Sequence, residues 1–151
     1  MQVYAGCALP EEYLYDLELD VWVLIEDDGS ARIGMTDVAQ TLCGKLVSVT
    51  FQKRGGDRVR RGRTLAVIES AKWVGPFRSP LSGEVLEVNE AAFDADLLIV
   101  NRDPYGAGWL ARLMPSSLET ERGSLLDGVA ALPAVRERIE REEIRCMRCA
   151  D

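Results

Sequence analysis

The segment from Val67 to Val88, V-I-E-S-A-K-W-V-G-P-F-R-S-P-L-S-G-E-V-L-E-V, restricts the fold of this chain more than any other stretch. Thr64 to Ser70 combines β-branched and small apolar residues, the composition of a buried strand, and Gly83 to Val88 begins a second one. Gly75, Pro76, Pro80 and Gly83 punctuate the interval as strand ends and turns. Ala71-Lys72 falls where a hairpin should turn, which projects Lys72 from a tip into solvent. The chain has fifteen Arg and only three Lys, at positions 45, 53 and 72. Had position 72 needed only positive charge, Arg would be the expected residue. An amine differs in that it can be acylated, which a guanidinium effectively cannot. The plainer reading is a surface lysine on a turn.

Composition bounds the rest. A chain of 151 residues makes one domain with an appended tail and buries a real core. The net charge of −7 argues against general affinity for nucleic acid. No apolar run approaches the ~18 residues that span a bilayer. The start, M-Q-V-Y-A-G-C-A-L-P-E-E, is acidic and has neither an Arg-rich transit character nor a basic secretory start, so a cytoplasmic location in a prokaryote is expected. The absence of histidine removes the commonest general base and metal ligand.

Residues 1 to about 19 carry few signals. Val21 to Ile25, the turn Asp27-Asp28-Gly29-Ser30 and Ala31 to Met35 read as a hairpin. Thr36 and Asp37 suit the start of a short helix over Val38 to Leu42, ended by Gly44. Gly44 to Phe51 is a strand by its β-branched content. Lys53, Arg54, Arg58, Arg60, Arg61 and Arg63 around Gly55, Gly56 and Gly62 form a basic turn, read as solvated, with docking onto an acidic protein surface left open. Gly44-Lys-Leu-Val-Ser-Val and Gly83-Glu-Val-Leu-Glu-Val share G-x-x-x-x-V, which fits a small barrel of two related halves. Ala92 to Asp96 reads as a turn, Leu97 to Val100 as a strand, and Trp22 and Trp109 as core. Ser116 or Ser117 suits the cap of a short helix to about Arg122. Pro133 suits the first turn of a helix from Ala134 to about Arg148. Its abundant charge and thin apolar stripe predict a helix lying on the surface or partly mobile, dispensable to the barrel. Cys7 and Cys43 are isolated. Cys146 and Cys149 are half a zinc site that nothing else completes, and are read as a reduced pair on a frayed tail. A redox dithiol, or a site shared with a partner, is the alternative.

Several motifs also resemble one known family. E-S-A-K at Glu69 to Lys72, followed by S-P-L-S-G-E-V-L-E-V-N at Ser79 to Asn89, resembles the lipoyl-attachment segment of the glycine-cleavage H-protein family. I-G-M-T-D-V-A-Q at Ile33 to Gln40, with Leu42 and Gly44, is similar to that family's first signature. L-I-V-N-R-D-P-Y-G-A-G-W-L at Leu98 to Leu110 is similar to its last. The resemblance implies a mainly β fold, a barrel-sandwich hybrid of the lipoyl/biotinyl type with short helices and a C-terminal helical segment. It divides the chain into an N-terminal segment (1–19), a lipoyl domain (20–115) and a C-terminal helical extension (116–151). It implies lipoate amide-linked to Lys72, with Glu69, Ser70 and Ala71 read by the attaching enzyme, a lipoate-protein ligase or lipoyl transferase. It further implies a non-catalytic carrier that holds no metal.

The cargo is a separate question. Family members of glycine cleavage usually place an acidic residue just before the first tryptophan and another four or five residues after the modified lysine, where they cradle an aminomethyl amine. Here Val21 precedes Trp22, and Trp73-Val74-Gly75-Pro76-Phe77 follows Lys72. The expectation is therefore a divergent H-like lipoate-binding protein, resembling those of prokaryotic sulfur oxidation. Its arm would shuttle sulfur or thiol-bound intermediates to a heterodisulfide-reductase-like complex. The alternatives are an H protein serving the glycine cleavage enzymes, with dihydrolipoamide dehydrogenase as a further partner, and a lipoyl-relay protein.

Overall fold

A computed structural model describes Met1 to Arg148. Twelve short strands form three sheets among these residues. The first hairpin, β1 (Gln2–Tyr4) and β2 (Cys7–Leu9), stands as its own two-stranded sheet. The largest sheet contains β3 (Leu14–Asp16), β4 (Val21–Ile25), β5 (Ala31–Met35), β7 (Arg58–Val59), β10 (Gly83–Val88), β11 (Ala111–Pro115) and β12 (Leu126–Asp127). Its order is β12-β3-β4-β5-β11-β10-β7. The third sheet has β8 (Thr64–Ser70) between β6 (Leu46–Phe51) and β9 (Val74–Arg78). All pairings are antiparallel. Val23, Ile33, Leu65, Ile68, Leu81 and Val85 are among the residues buried in the main core, to which strands of the two larger sheets contribute. This is the expected barrel-sandwich arrangement. The two G-x-x-x-x-V echoes become β6 and β10, one in each of these sheets.

Turn and cap chemistry explains much of this. β4 and β5 pair from Val21↔Met35 to Ile25↔Ala31 across a turn in which Gly29 has φ +86°. The helix α1 (Asp37–Cys43) starts where the Thr36 hydroxyl accepts the Ala39 N–H at 3.1 Å. Pro76 lies in β9, an edge strand, where its missing donor is tolerated.

Four sequence expectations need correction. First, the return strand of the Lys72 hairpin is β9, while Gly83 to Val88 belongs to the other sheet. Second, Ala92 to Asp96 and Leu97 to Val100 are not a turn and a strand. They contribute to helices α2 (Glu90–Ala95) and α3 (Ile99–Arg102), with the Asp96 carboxylate accepting the Leu98 N–H at 3.2 Å between them. A short apolar run suits either state. Third, α4 (Leu118–Glu121) forms where expected, but the last helix, α5 (Gly128–Glu142), starts six residues before Ala134 and ends at a left-handed Glu143 with φ +54°. Its cap is Asp127, whose carboxylate accepts the Ala130 N–H at 2.7 Å, and Pro133 lies inside it.

The fourth correction concerns the termini. Ala131, Val135 and Ile139 repeat every four residues and are buried on one side of α5. With Ile144 and Cys146 they join Cys7, Leu9, Tyr15, Trp22, Val38 and Tyr105 in a second core. Cys7 and Cys146 form a disulfide across 139 residues, so neither is the isolated or reduced thiol expected from spacing. Cys149 lies outside the described residues. Trp22 is fully buried as expected, donating its indole N–H to the Pro104 carbonyl at 2.8 Å. Trp109 is half-buried beneath the Arg32 guanidinium.

The lysine hairpin and its groove

β8 and β9 are joined by Ala71-Lys72-Trp73, and Lys72 is exposed at the tip. The Ser70 N–H donates to the Trp73 carbonyl at 2.8 Å, closing the turn. The buried Ser70 hydroxyl donates to the Cys43 carbonyl at 2.6 Å, which ties the hairpin to the end of α1. Ser70 is therefore a structural anchor as well as part of the E-S-A-K motif. Glu69 is exposed on β8, and its carboxylate accepts the Ser48 hydroxyl at 3.2 Å. Ala71 is exposed and leaves the base of the lysine open.

The lysine stem lies over Gly44. A Cβ on Gly44 would come within 2.8 Å of Lys72 Cε, and Gly44 adopts φ +82°, ψ −168°, a region essentially restricted to glycine. Gly44 caps α1 by donating its N–H to Gln40 O at 2.9 Å. The two outer motifs of the sequence converge on this glycine. Asn101 Nδ2 donates to Gly44 O at 2.9 Å and to Gln40 Oε1 at 3.2 Å, while its Oδ1 accepts the Leu46 N–H at 3.3 Å. Asp37 accepts the Ala8 N–H and a Gln40 side-chain N–H, both at 2.9 Å. The Tyr105 hydroxyl accepts the Asp37 N–H at 3.0 Å and donates to Ala8 O at 2.6 Å. Residues from T-D-V-A-Q and N-R-D-P-Y thus act through the backbone to hold the surface on which Lys72 rests. Burial holds the Tyr105 hydroxyl well above the usual tyrosine range, so it stays protonated and able to donate.

Beside the lysine lies an open groove of about 220 Å3, lined by Cys43 and Trp73 next to the tip and by Leu19, Met35, Leu42, Ile68 and Phe77 farther in. Trp73 is 42% exposed. The free thiol of Cys43 is pushed above its ordinary range by burial, partly offset by a Ser70 hydrogen bond and the Lys72 charge. Of the residues that the sequence placed at the resting surface, Trp73, Pro76 and Phe77 line the groove, whereas Val21 does not: it is buried in the main core. Sequence reasoning missed Asp20, one residue earlier, which lines the groove with φ +59°. Its Oδ1 is met at 2.5 Å by Nη1 of Arg138 from α5, a contact that no local pattern announces.

The three lysines separate clearly. Lys45 is exposed beside Gly44, Lys53 is half-buried in the basic turn, and Lys72 alone occupies a hairpin tip. The basic turn sits at the other end of β8. There Arg54 is paired with Glu90, Arg61 with Asp16 at 2.7 Å, and Arg58, Arg60 and Arg63 are exposed. No group of three or more His, Cys, Asp or Glu able to hold a metal ion occurs among the described residues, and no helix among them is long and apolar enough to cross a membrane.

Comparison with known proteins is consistent along the chain. The family model described as Glycine cleavage H-protein matches residues 13–137. Glycine cleavage system H protein 2 of Aquifex aeolicus is 40% identical over 146 residues, covering 97% of this chain and 89% of that protein. H protein 3 of the same organism is 38% identical over 149 residues, at 97% and 91% coverage. The crystal structure of a glycine cleavage system H protein from Mycobacterium marinum superposes with a TM-score of 0.69 at 32% identity, covering 90% of this chain and all of that one. With the family model matched over residues 13–137 and relatives about 40% identical along nearly the whole chain, this chain belongs to the glycine cleavage H-protein family.

Proposed function

We propose that this protein is a lipoyl carrier with lipoate amide-linked to Lys72, attached by a lipoate-protein ligase or lipoyl transferase that reads Glu69, Ser70 and Ala71. The observation that carries the reading is Lys72 itself, exposed at a hairpin tip, its stem across a glycine that any Cβ would crowd. The residues fit the group: the amine is accessible, and an apolar groove lined by the adjoining Trp73 and by Cys43 lies within its neighbourhood to shelter a hydrocarbon tether. When attached, lipoate supplies a dithiolane that accepts a group or two electrons. The chain's own part is to present the amine, fix the hairpin through Ser70 and offer a resting surface.

The cargo we assign is a sulfur or thiol-bound group exchanged with a heterodisulfide-reductase-like complex. Support comes from Trp73, Pro76 and Phe77, which give the groove an apolar wall after Lys72, and from an Asp20 carboxylate already engaged by Arg138. Glycine cleavage is the second reading, favoured by the family and by Asp20, a carboxylate within the groove.

Intact-mass and peptide mass spectrometry after co-expression with a lipoate ligase test the attachment. One lipoyl group on Lys72 is expected, and none in Lys72→Arg. Lipoate on Lys45 or Lys53, or retained by Lys72→Arg, refutes it. For the cargo, the lipoylated protein is supplied to glycine decarboxylase and bicarbonate exchange is followed beside a true H protein. Turnover at the level of the true H protein returns the assignment to glycine cleavage.

A further inference from the structure

Among the described side chains that line the groove near Lys72, only Asp20 and Arg138 carry charge. They come from opposite ends of the chain. Asp20 precedes β4 in a left-handed conformation that only a few residue types other than glycine adopt readily, Asp among them. Arg138 is fixed by its helix: Val135 and Ile139 on either side are buried, and the segment after α5 is tied back by the Cys7–Cys146 bridge. Its Nη1 meets Asp20 Oδ1 at 2.5 Å and its Nε meets Glu142 Oε2 at 3.2 Å, so the guanidinium is held between two carboxylates. The Asp20 and Arg138 side chains are 27% and 28% exposed, largely out of water.

A cationic group entering this groove needs the same carboxylate. To take it, the newcomer must displace a cation of the same molecule whose effective concentration is set by the fold. It would also leave a half-buried guanidinium with a partner lost, which is costly in a site of reduced solvation. An uncharged end meets no such opposition and gains from the apolar walls.

We propose that Arg138 is a built-in cationic occupant of the groove, so that the arm's free end rests there when uncharged and is turned away when it bears an ammonium. The inference rests on the reading that Lys72 carries the arm, and it deepens that reading by naming the charge class of the cargo. Burial raises the Asp20 carboxyl, and the hydrogen bond and charge of Arg138 offset this only in part, as expected of a carboxylate that depends on its partner. Arg138 is a specificity-determining residue here, acting by occupying Asp20.

The test uses full-length lipoylated protein with intact mass read first. The arm is reduced with dihydrolipoamide dehydrogenase and NADH. It is then alkylated with iodoacetamide to give an uncharged end, or with 2-bromoethylamine to give an ammonium. In each case a thiolate forms the S–C bond and the halide leaves with the electron pair. Peptide mapping confirms the site and the intact bridge. The readout is the 13C-labelled ε-methyl of Met35, which lines the groove. In the wild type the uncharged arm should shift this resonance and the ammonium arm should leave it at the unlipoylated position. In Arg138→Gln the preference should move toward the ammonium arm by about tenfold or more, the scale of one charge-assisted hydrogen bond. Arg138→Lys, which retains a tethered cation, should keep the wild-type preference even if α5 is loosened. Equal resting of both arms in the wild type, no arm reaching Met35, or an Arg138→Gln preference unchanged from wild type overturns the proposal. Absence of lipoate from Lys72 overturns the carrier reading itself, and is seen at the first mass measurement.

Discussion

Ile139→Ala measures whether the C-terminal helix is part of the core or an ornament on it. Ile139 is 3% exposed and belongs to the second core with Trp22, Tyr15 and Val38, whereas Val129 on the same helix is 60% exposed. Truncating a buried isoleucine to alanine costs about 2–5 kcal/mol, the sum of lost transfer and the cavity left behind. Total stability of a domain is about 5–15 kcal/mol, so one side chain at the low end of the molecule's range would remove a large part of it. Near this chain length each kcal/mol moves the midpoint by about 2–4 °C, so a loss of ~3 kcal/mol predicts a fall of about 6–12 °C. Val129→Ala should lie within about 0.5 kcal/mol of wild type, as surface substitutions do. The assay is urea and thermal unfolding by circular dichroism, with the Cys7–Cys146 bridge intact and the lipoylation state fixed. An Ile139→Ala protein as stable as Val129→Ala would refute the structural reading and restore the view, natural from the charge-rich sequence, that deleting Ala134 to Asp151 spares the barrel.

Gly44→Ala should destabilise by about 1–3 kcal/mol from backbone conformation alone. It should also slow ligase modification of Lys72, because the added Cβ meets the lysine stem; an unchanged midpoint and ligase rate would refute both. The raised Cys43 thiol should make this residue slow to alkylate in the native protein, and slower still once acylation removes the Lys72 charge, as followed by peptide-resolved mass spectrometry against pH. The same shift contributes stability that is complete below about pH 8.5 and is lost as pH rises toward the higher folded value, a dependence that Cys43→Ala should flatten. Non-reducing peptide maps should show Cys7 joined to Cys146, and Cys7→Ser should lower the unfolding free energy by at most about 5 kcal/mol of loop entropy for the 139-residue separation, and the midpoint with it. A midpoint independent of reductant and of Cys7→Ser would show the bridge is not formed in solution.

Local chemistry settled a definite part of this protein. Turn residues fixed the β4–β5 hairpin and the Lys72 tip, β-branched runs fixed β6, β8 and β10, and Thr36 with Gly44 fixed the ends of α1, because each signal acts on neighbouring residues through backbone conformation or a single hydrogen bond. The lone acylatable amine at a hairpin tip was legible for the same reason. What tertiary structure alone decided lies between residues far apart in sequence. The stripe Ala131, Val135, Ile139 looks thin until Trp22, Tyr15 and the first hairpin provide the surface that buries it. Cys7 and Cys146 are unrelated by spacing and meet because that burial brings both ends of the chain together. Asp20 gives no sign of its role beside Val21 and Trp22, since a carboxylate acquires one only from what faces it. Here the facing group is Arg138, 118 residues away, and the character of the groove follows from that pairing.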